Sequence, residues 1–404
     1  TTTTTLSPEV AENIGNFEFV WSTIDREFYD RDFRGLDWQE VHDRYYPQIV
    51  DAPDGEAVFW LLNEMLWELD VSHIGVVPPG EPEQLDPMLM YRGHAGLRVS
   101  LLDEGWAIVD VDEGSPAALA GLQPGYLLDA IDGVSMEELA ANAAPMPPRH
   151  DRGVRSTQIM AVEEALAGDP GTEITLDIRD AANDSRSVTL ALAEKELQSQ
   201  PVAGLSALYP TLTTEVLEGG IGYIEFDAFV TSVLDPVLAA IDDMQDAPGI
   251  IIDIRGNHGG QFNVRKPMVD RLVANPTMIW HHEGKWTEDV YVTPAAVTYD
   301  GPLVVLVDVV SASSAEEFSG GLQAIGRATV IGERTAGRVL VMEAAELPAG
   351  AVMIYPVVET SLADGTVLEG RGVIPDISIK TTRADLLAGI DAALEAAIEV
   401  ILAG

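Results

Sequence analysis

Two apolar runs limit what this chain can become. Ile250-Ile251-Ile252-Asp253-Ile254 and Leu303-Val304-Val305-Leu306-Val307 show no polar alternation. Strands of this kind are buried on both faces, as in parallel sheets. Helical patterns alternate with them. Leu234, Val237, Leu238 and Ile241 fall on one helix face before the first run, and a further strand, Ala328-Thr329-Val330-Ile331-Gly332, follows later. The alternation predicts an α/β layered core with right-handed crossovers. The second run feeds a turn of small residues, Val309 to Gly321, in which Ala315, Phe318 and Leu322 recur at helical spacing. Strand, sharp turn and helix together can present a nucleophilic serine, with the helix N-terminus supplying N–H groups. The same turn also fits a serine N-cap.

The rest of the chain divides by pattern. Val10, Ile14, Phe17, Val20 and Ile24, then Trp38, Val41 and Tyr45, then Val58, Leu62, Met65 and Leu69 predict amphipathic helices that form an N-terminal cap over residues 1–77. Their aromatic residues read as core. Pro78 to Glu83 is a turn-rich linker. Short strands and turns occupy 88–200, with Ala140 to Gly168 read as a Pro- and Arg-rich insertion. The α/β core covers 203–404 and ends in an Ala/Leu-rich helix. The fold class is thus α+β and multidomain.

Composition excludes several functions. The 404 residues contain no cysteine, so disulfides and thiolate sites are absent. A net charge of −43 disfavours nucleic acid and anionic membranes as partners. No run approaches the roughly 20 apolar residues of a membrane span, so no membrane insertion is expected. An acidic surface this dense suits high salt, where self-repulsion is screened. A saline habitat is the expectation, and full stability in salt-free buffer would count against it.

Candidate chemistry lies in four places. Ser313 sits in the small-residue turn. Gly256-Asn257-His258-Gly259-Gly260 follows the first apolar run, where glycines let a backbone N–H approach a substrate oxygen. Ser72-His73 stands where the helical region ends, and Leu368-Glu369-Gly370 lies in a late tight turn. His258 reads as a loop residue. His281 and His282 are adjacent on a strand, point to opposite faces and make poor joint metal ligands.

Two resemblances join these places. Gly114-Ser115-Pro116-Ala117-Ala118-Leu119-Ala120-Gly121-Leu122 through Gly133 resembles the PDZ core pattern, with Tyr126 where aspartate is usual. This implies a PDZ-like domain that takes an extended peptide as an added strand. Asp253 to Gly260, Ser311 to Phe318, Gly332 to Gly337 and Glu369 to Asp376, in that order, resemble the C-terminal-processing (tail-specific) serine peptidases. That family implies a crotonase/ClpP-like core. One of its branches uses a Ser–Lys dyad, but Arg338 stands at the lysine position and arginine cannot act as base. The tricorn-like branch implies Ser313 as nucleophile, His73 as base, Ser72 and Glu369 as orienting groups, and N–H groups of Gly259, Gly260 and Ser314 as oxyanion hole.

The implied function is a serine endopeptidase acting on polypeptides, without metal or cofactor, in an extracytoplasmic location. A carboxylesterase or other acyl hydrolase, a non-catalytic binder of apolar ligands and a PDZ scaffold are the alternatives. Oligomeric state and natural substrate are open. A histidine near its reference pKa of about 6.5 would make activity fall in acid.

Overall fold

The computed structural model describes residues 7–79, 91–143, 151–198, 208–348 and 350–403. The stretch Gly80–Glu83 of the linker lies outside them. Architecture is mixed α+β with several sheets, as the patterning predicts.

Three helices, Pro8–Glu27, Trp38–Val50 and Gly55–Trp67, open the chain. Each has a side-chain N-cap: Ser7 accepts from Val10 N–H, Asp37 from Gln39 and Glu40, and Asp54 from Ala57. Such caps satisfy donors that a helix start leaves unpaired. Phe17, Ile24, Leu62 and Met65 are fully buried, but not against each other alone. They share one core with Leu340, Met353, Tyr355, Val357 and Val358 from the far end of the sequence. The chain leaves these helices as the strand Gly75–Val77, which pairs antiparallel with Val352–Leu362. This join carries Ser72 and His73 to the C-terminal half.

A second unit is an antiparallel sheet in the order Leu97–Leu102, Gly105–Val111, Leu127–Ile131, Glu173–Arg179, Ser185–Ala191. Here the expectation of an insertion over 140–168 is corrected. Asp151–Glu164 is a helix, and Ile159, Val162 and Leu166 at i, i+3 and i+7 are buried in this sheet's core. The proline-rich segment 144–150 lies outside the described residues.

The third sheet runs Leu212–Val216, Gly222–Phe226, Ile250–Asp253, Leu303–Val307, Thr329–Gly332, Ile377–Ser378. Its first pair is antiparallel and the others are parallel. Both apolar runs are central strands. Every residue of Leu303–Val307 is buried, because helices Thr231–Asp243, Phe262–Leu272 and Ser314–Ala324 pack on one face and Ala392–Ala403 on the other. The loops after the two central strands, at 254–261 and 308–313, therefore emerge side by side.

Candidate active site

The two loops are locked together. Asp308 accepts N–H groups of Gly256, Val310 and Ser311, and Ser311 Oγ donates to Ile254 O at 2.8 Å. Asn257 O accepts from Ala312 N at 3.0 Å, and its amide donates to Phe226 O. Ser311 thus shapes the turn. Ser313 follows at φ 54° and ψ −120°, just before the helix Ser314–Ala324. A non-glycine residue there costs about 1–3 kcal/mol, a strain that tends to gather at functional sites. Gly259 makes the approach possible: a Cβ on it would lie 2.6 Å from Ser313 Cβ.

The predicted oxyanion donors are not equivalent. Gly259 N–H is already taken by Asn257 Oδ1 at 2.8 Å. Gly260 N–H and Ser314 N–H have no acceptor among the described residues. Gly260 and Ser314 therefore keep N–H groups open to a ligand, while Gly259 supplies the close contact with Ser313.

Ser72, His73 and Glu369 meet across the fold. Ser72 Oγ lies 2.7 Å from His73 Nδ1 and donates to Glu369 Oε2 at 2.9 Å, while Ser72 N–H donates to Glu369 Oε1 at 2.7 Å. A hydroxyl carries one hydrogen. Since that hydrogen goes to the carboxylate, Ser72 Oγ must accept from His73, which fixes the proton on Nδ1. Nε2 then keeps a lone pair and has no hydrogen-bond partner among the described residues.

Ser313 reaches this group through one short segment. Ser313 N donates to Arg338 O at 2.7 Å. Three consecutive N–H groups of that segment are shared between two carboxylates: Gly337 and Arg338 donate to Glu316, and Val339 donates to Glu369 at 2.8 Å. Glu316 also accepts from Thr335 Oγ1 and from Ser313 N. Among the described residues no hydrogen bond joins Ser313 to His73 directly; such catalytic contacts often tighten only with substrate bound. Sequence reasoning treated Glu316 as one letter of a motif. The Ser-x-x-Glu spacing from Ser313, a helix-start signature, could have singled it out.

Electrostatics alter the expected pH behaviour. Burial, then the Arg338 guanidinium, hold His73 down to about 3, well below 6.5. Burial pushes Glu316 up to about 7 against the pull of its hydrogen bonds. Glu369 is also raised by burial, opposed by Val339 and Ser72. By linkage, His73 makes stability rise with pH between about 3 and 6.5, since only the unfolded chain binds its proton there. Glu316 acts oppositely between 4.5 and about 7. The acid limb of activity is therefore expected to belong to carboxylates. Activity falls as pH drops below about 7, while 15N shifts of the imidazole report a neutral His73 at pH 5. A His73 that titrates near 6.5 contradicts this account.

The other histidines stand elsewhere. His258 Nε2 lies 3.2 Å from Glu163 of the helix Asp151–Glu164. His282 is buried and His281 partly exposed beside Asp289, so the pair faces two ways as its strand position requires.

Residues 220–379 match peptidase family S41, and residues 10–67 match the tricorn protease C1 domain. The chain carries a serine peptidase domain of family S41. It is 24% identical over 395 residues to a carboxyl-terminal-processing protease of Synechocystis, an alignment covering 95% of this chain and 86% of that protein. It is 25% identical to putative tricorn protease homolog 2 of Streptomyces coelicolor, over 93% of this chain and 31% of that one. The solved photosystem II D1 C-terminal processing protease has the same fold, with a TM-score of 0.62, 20% identity and coverage of 92% and 93% of the two chains.

Proposed function

We propose that this S41 peptidase works through Ser313, His73, Ser72 and Glu369, with no Ser–Lys dyad. The observation that carries the reading is the Ser72 bridge, 2.7 Å to His73 and 2.9 Å to Glu369, which leaves His73 Nε2 as a base. Ser313 Oγ attacks the scissile carbonyl carbon and passes its proton to Nε2. The carbonyl oxygen takes the displaced electron pair and is held by N–H of Gly260 and Ser314. Collapse breaks the C–N bond, and Nε2 gives its proton to the leaving amine. A water then repeats the sequence and releases the acyl group from Ser313. Ser72 and Glu369 keep the proton on Nδ1 and stabilise the imidazolium.

The finer readings rest on supporting geometry. The 88–200 region is read as a PDZ-like domain between the helical cap, 1–77, and the crotonase/ClpP-like core, 203–404. Beside Gly96-Leu97-Arg98 lies a cavity of about 700 Å3, also lined by Glu163 and Lys195, suited to an extended polypeptide end. That domain would recruit or gate substrate. Among the described residues no helix is long and apolar enough to cross a membrane. Extracytoplasmic location and a saline habitat remain readings of the family and of the −43 charge. Parallel assays on casein and on p-nitrophenyl esters test the activity. Turnover of esters with intact casein would favour the acyl-hydrolase alternative.

A further inference from the structure

The two N–H groups open to a ligand stand at the starts of two helices. Gly260 precedes the helix Phe262–Leu272 by two residues, and Ser314 opens the helix Ser314–Ala324. An oxyanion needs both donors within about 2.7–3.1 Å at once, so the spacing of the helix starts decides whether it is held. Ser314 Oγ ties the starts together by donating to Gly260 O at 3.1 Å. One turn deeper, a second link joins them. Arg265 and Glu317 are each the fourth residue of their helix, and Arg265 Nη2 lies 2.8 Å from Glu317 Oε2. Both side chains are buried.

The pair is built into its surroundings. Trp280, on the strand Met278–Gly284, has its ring centroid 4.5 Å from the guanidinium carbon and donates Nε1–H to Glu317 O at 2.9 Å. The Phe262 ring lies 4.9 Å from the same carbon, and Arg265 Nη1 donates to Phe262 O. Gly321 makes room for the indole, since a Cβ there would stand 2.7 Å from Trp280 Nε1. Burial holds the nearby His282 below its usual range, against the pull of Glu317. Arg265 is thus the charged partner of Glu317 among the described residues.

Stability does not account for this pair. Taking two charges out of water costs much of what their contact returns, and a well-packed apolar pair of similar volume is often as stable or more so. Arg265 Nε and Glu317 Oε1 add to the cost, because neither has a hydrogen-bond partner among the described residues. Val264, Met268 and Phe318 on the same two helices are buried in an apolar core that an apolar pair would continue. What an apolar pair lacks is direction. It lets two helices slide, whereas a charge pair with fixed atoms accepts one relative placement. Resting on the peptidase reading above, we propose that Arg265 and Glu317 are positioning residues whose ion pair sets the distance between Gly260 N–H and Ser314 N–H, and with it the width of the oxyanion hole. Being buried, neither meets substrate. They act on the transition state through the two donors, so their effect belongs in kcat and leaves KM nearly unchanged.

The test uses an internally quenched peptide taken from a site where the wild-type enzyme cuts casein, together with the rate at which a fluorophosphonate modifies Ser313. Arg265→Met combined with Glu317→Leu replaces the pair by apolar groups. This double variant is expected to melt at or above the wild-type temperature, yet to lose about 10- to 100-fold in kcat with KM within about threefold. Fluorophosphonate modification also places an oxygen in the hole and should slow by a similar factor. Glu317→Asp keeps the charge on an arm one methylene shorter, and should lower kcat about 10-fold at an unchanged KM. A merely structural pair would shift the melting temperature and leave the kcat of the folded enzyme alone. A folded double variant with kcat within about threefold of wild type, or a loss confined to KM, overturns the assignment. If the double variant does not fold, a wild-type kcat in folded Glu317→Asp overturns it instead. Casein left intact by the wild-type enzyme counts against the peptidase reading, and the proposal falls with it.

Discussion

Replacing Glu369 with glutamine is expected to lower kcat about 10^4-fold, the loss known when an orienting carboxylate becomes an amide and the histidine adopts the wrong tautomer. The carboxylate accepts three bonds, Ser72 N–H on one oxygen and Ser72 Oγ–H with Val339 N–H on the other. An amide fails in either orientation. With its NH2 on the first side it meets the Ser72 N–H, donor against donor. With its NH2 on the second side it meets Val339 N–H and forces the Ser72 hydroxyl to accept. That hydroxyl then donates to His73 Nδ1, the ring proton moves to Nε2, and no base faces Ser313. The unpaired donor should also cost about 1–3 kcal/mol of stability. Steady-state kinetics with a circular dichroism melt check both parts. A drop of less than tenfold in a folded protein would remove Glu369 from the mechanism.

Gly259→Ala should also lower the rate strongly, by a different route. Gly259 sits at φ 98°, and its Cβ would stand 2.6 Å from Ser313 Cβ, 2.7 Å from Ala312 O and 3.0 Å from Ser314 N. Two of those contacts are backbone and cannot swing aside. The methyl must therefore displace the nucleophile turn or the Gly260 N–H, and a displacement of about 1 Å costs on the order of 10^2-fold or more in rate. Gly365→Ala is the control. It has φ 82° with open space around it, so only the left-handed backbone cost of about 1–2 kcal/mol applies. Comparable kcat/KM in the two variants would mean that the close seating of Gly259 on Ser313 has no catalytic role.

The parts of the molecule that the sequence reveals are those set by local pattern. The apolar runs at 250–254 and 303–307 carry no polar face, so only a doubly covered parallel sheet could hold them, and both are central strands. Ser72, His73 and Glu369 were named from motif order, and the structure brings Ser72 against the other two. Three features depended on long-range geometry. Gly259 and Gly260 look alike in sequence, but the Asn257 side chain takes the N–H of one of them. Arg338 looked like a missing lysine, whereas burial first and then its charge beside His73 remove the expected pKa near 6.5. The helix Asp151–Glu164 was hidden by the arginines and prolines around it, although Ile159, Val162 and Leu166 marked its buried face.

The central claim is that Ser313 is the nucleophile and His73 its base. Mass-spectrometric mapping of a fluorophosphonate adduct tests it most directly. A single adduct on Ser313 is predicted, absent in Ser313→Ala and at least about 10^3-fold slower to form in His73→Ala. An adduct on another serine, or one that forms at the wild-type rate without His73, would contradict the account.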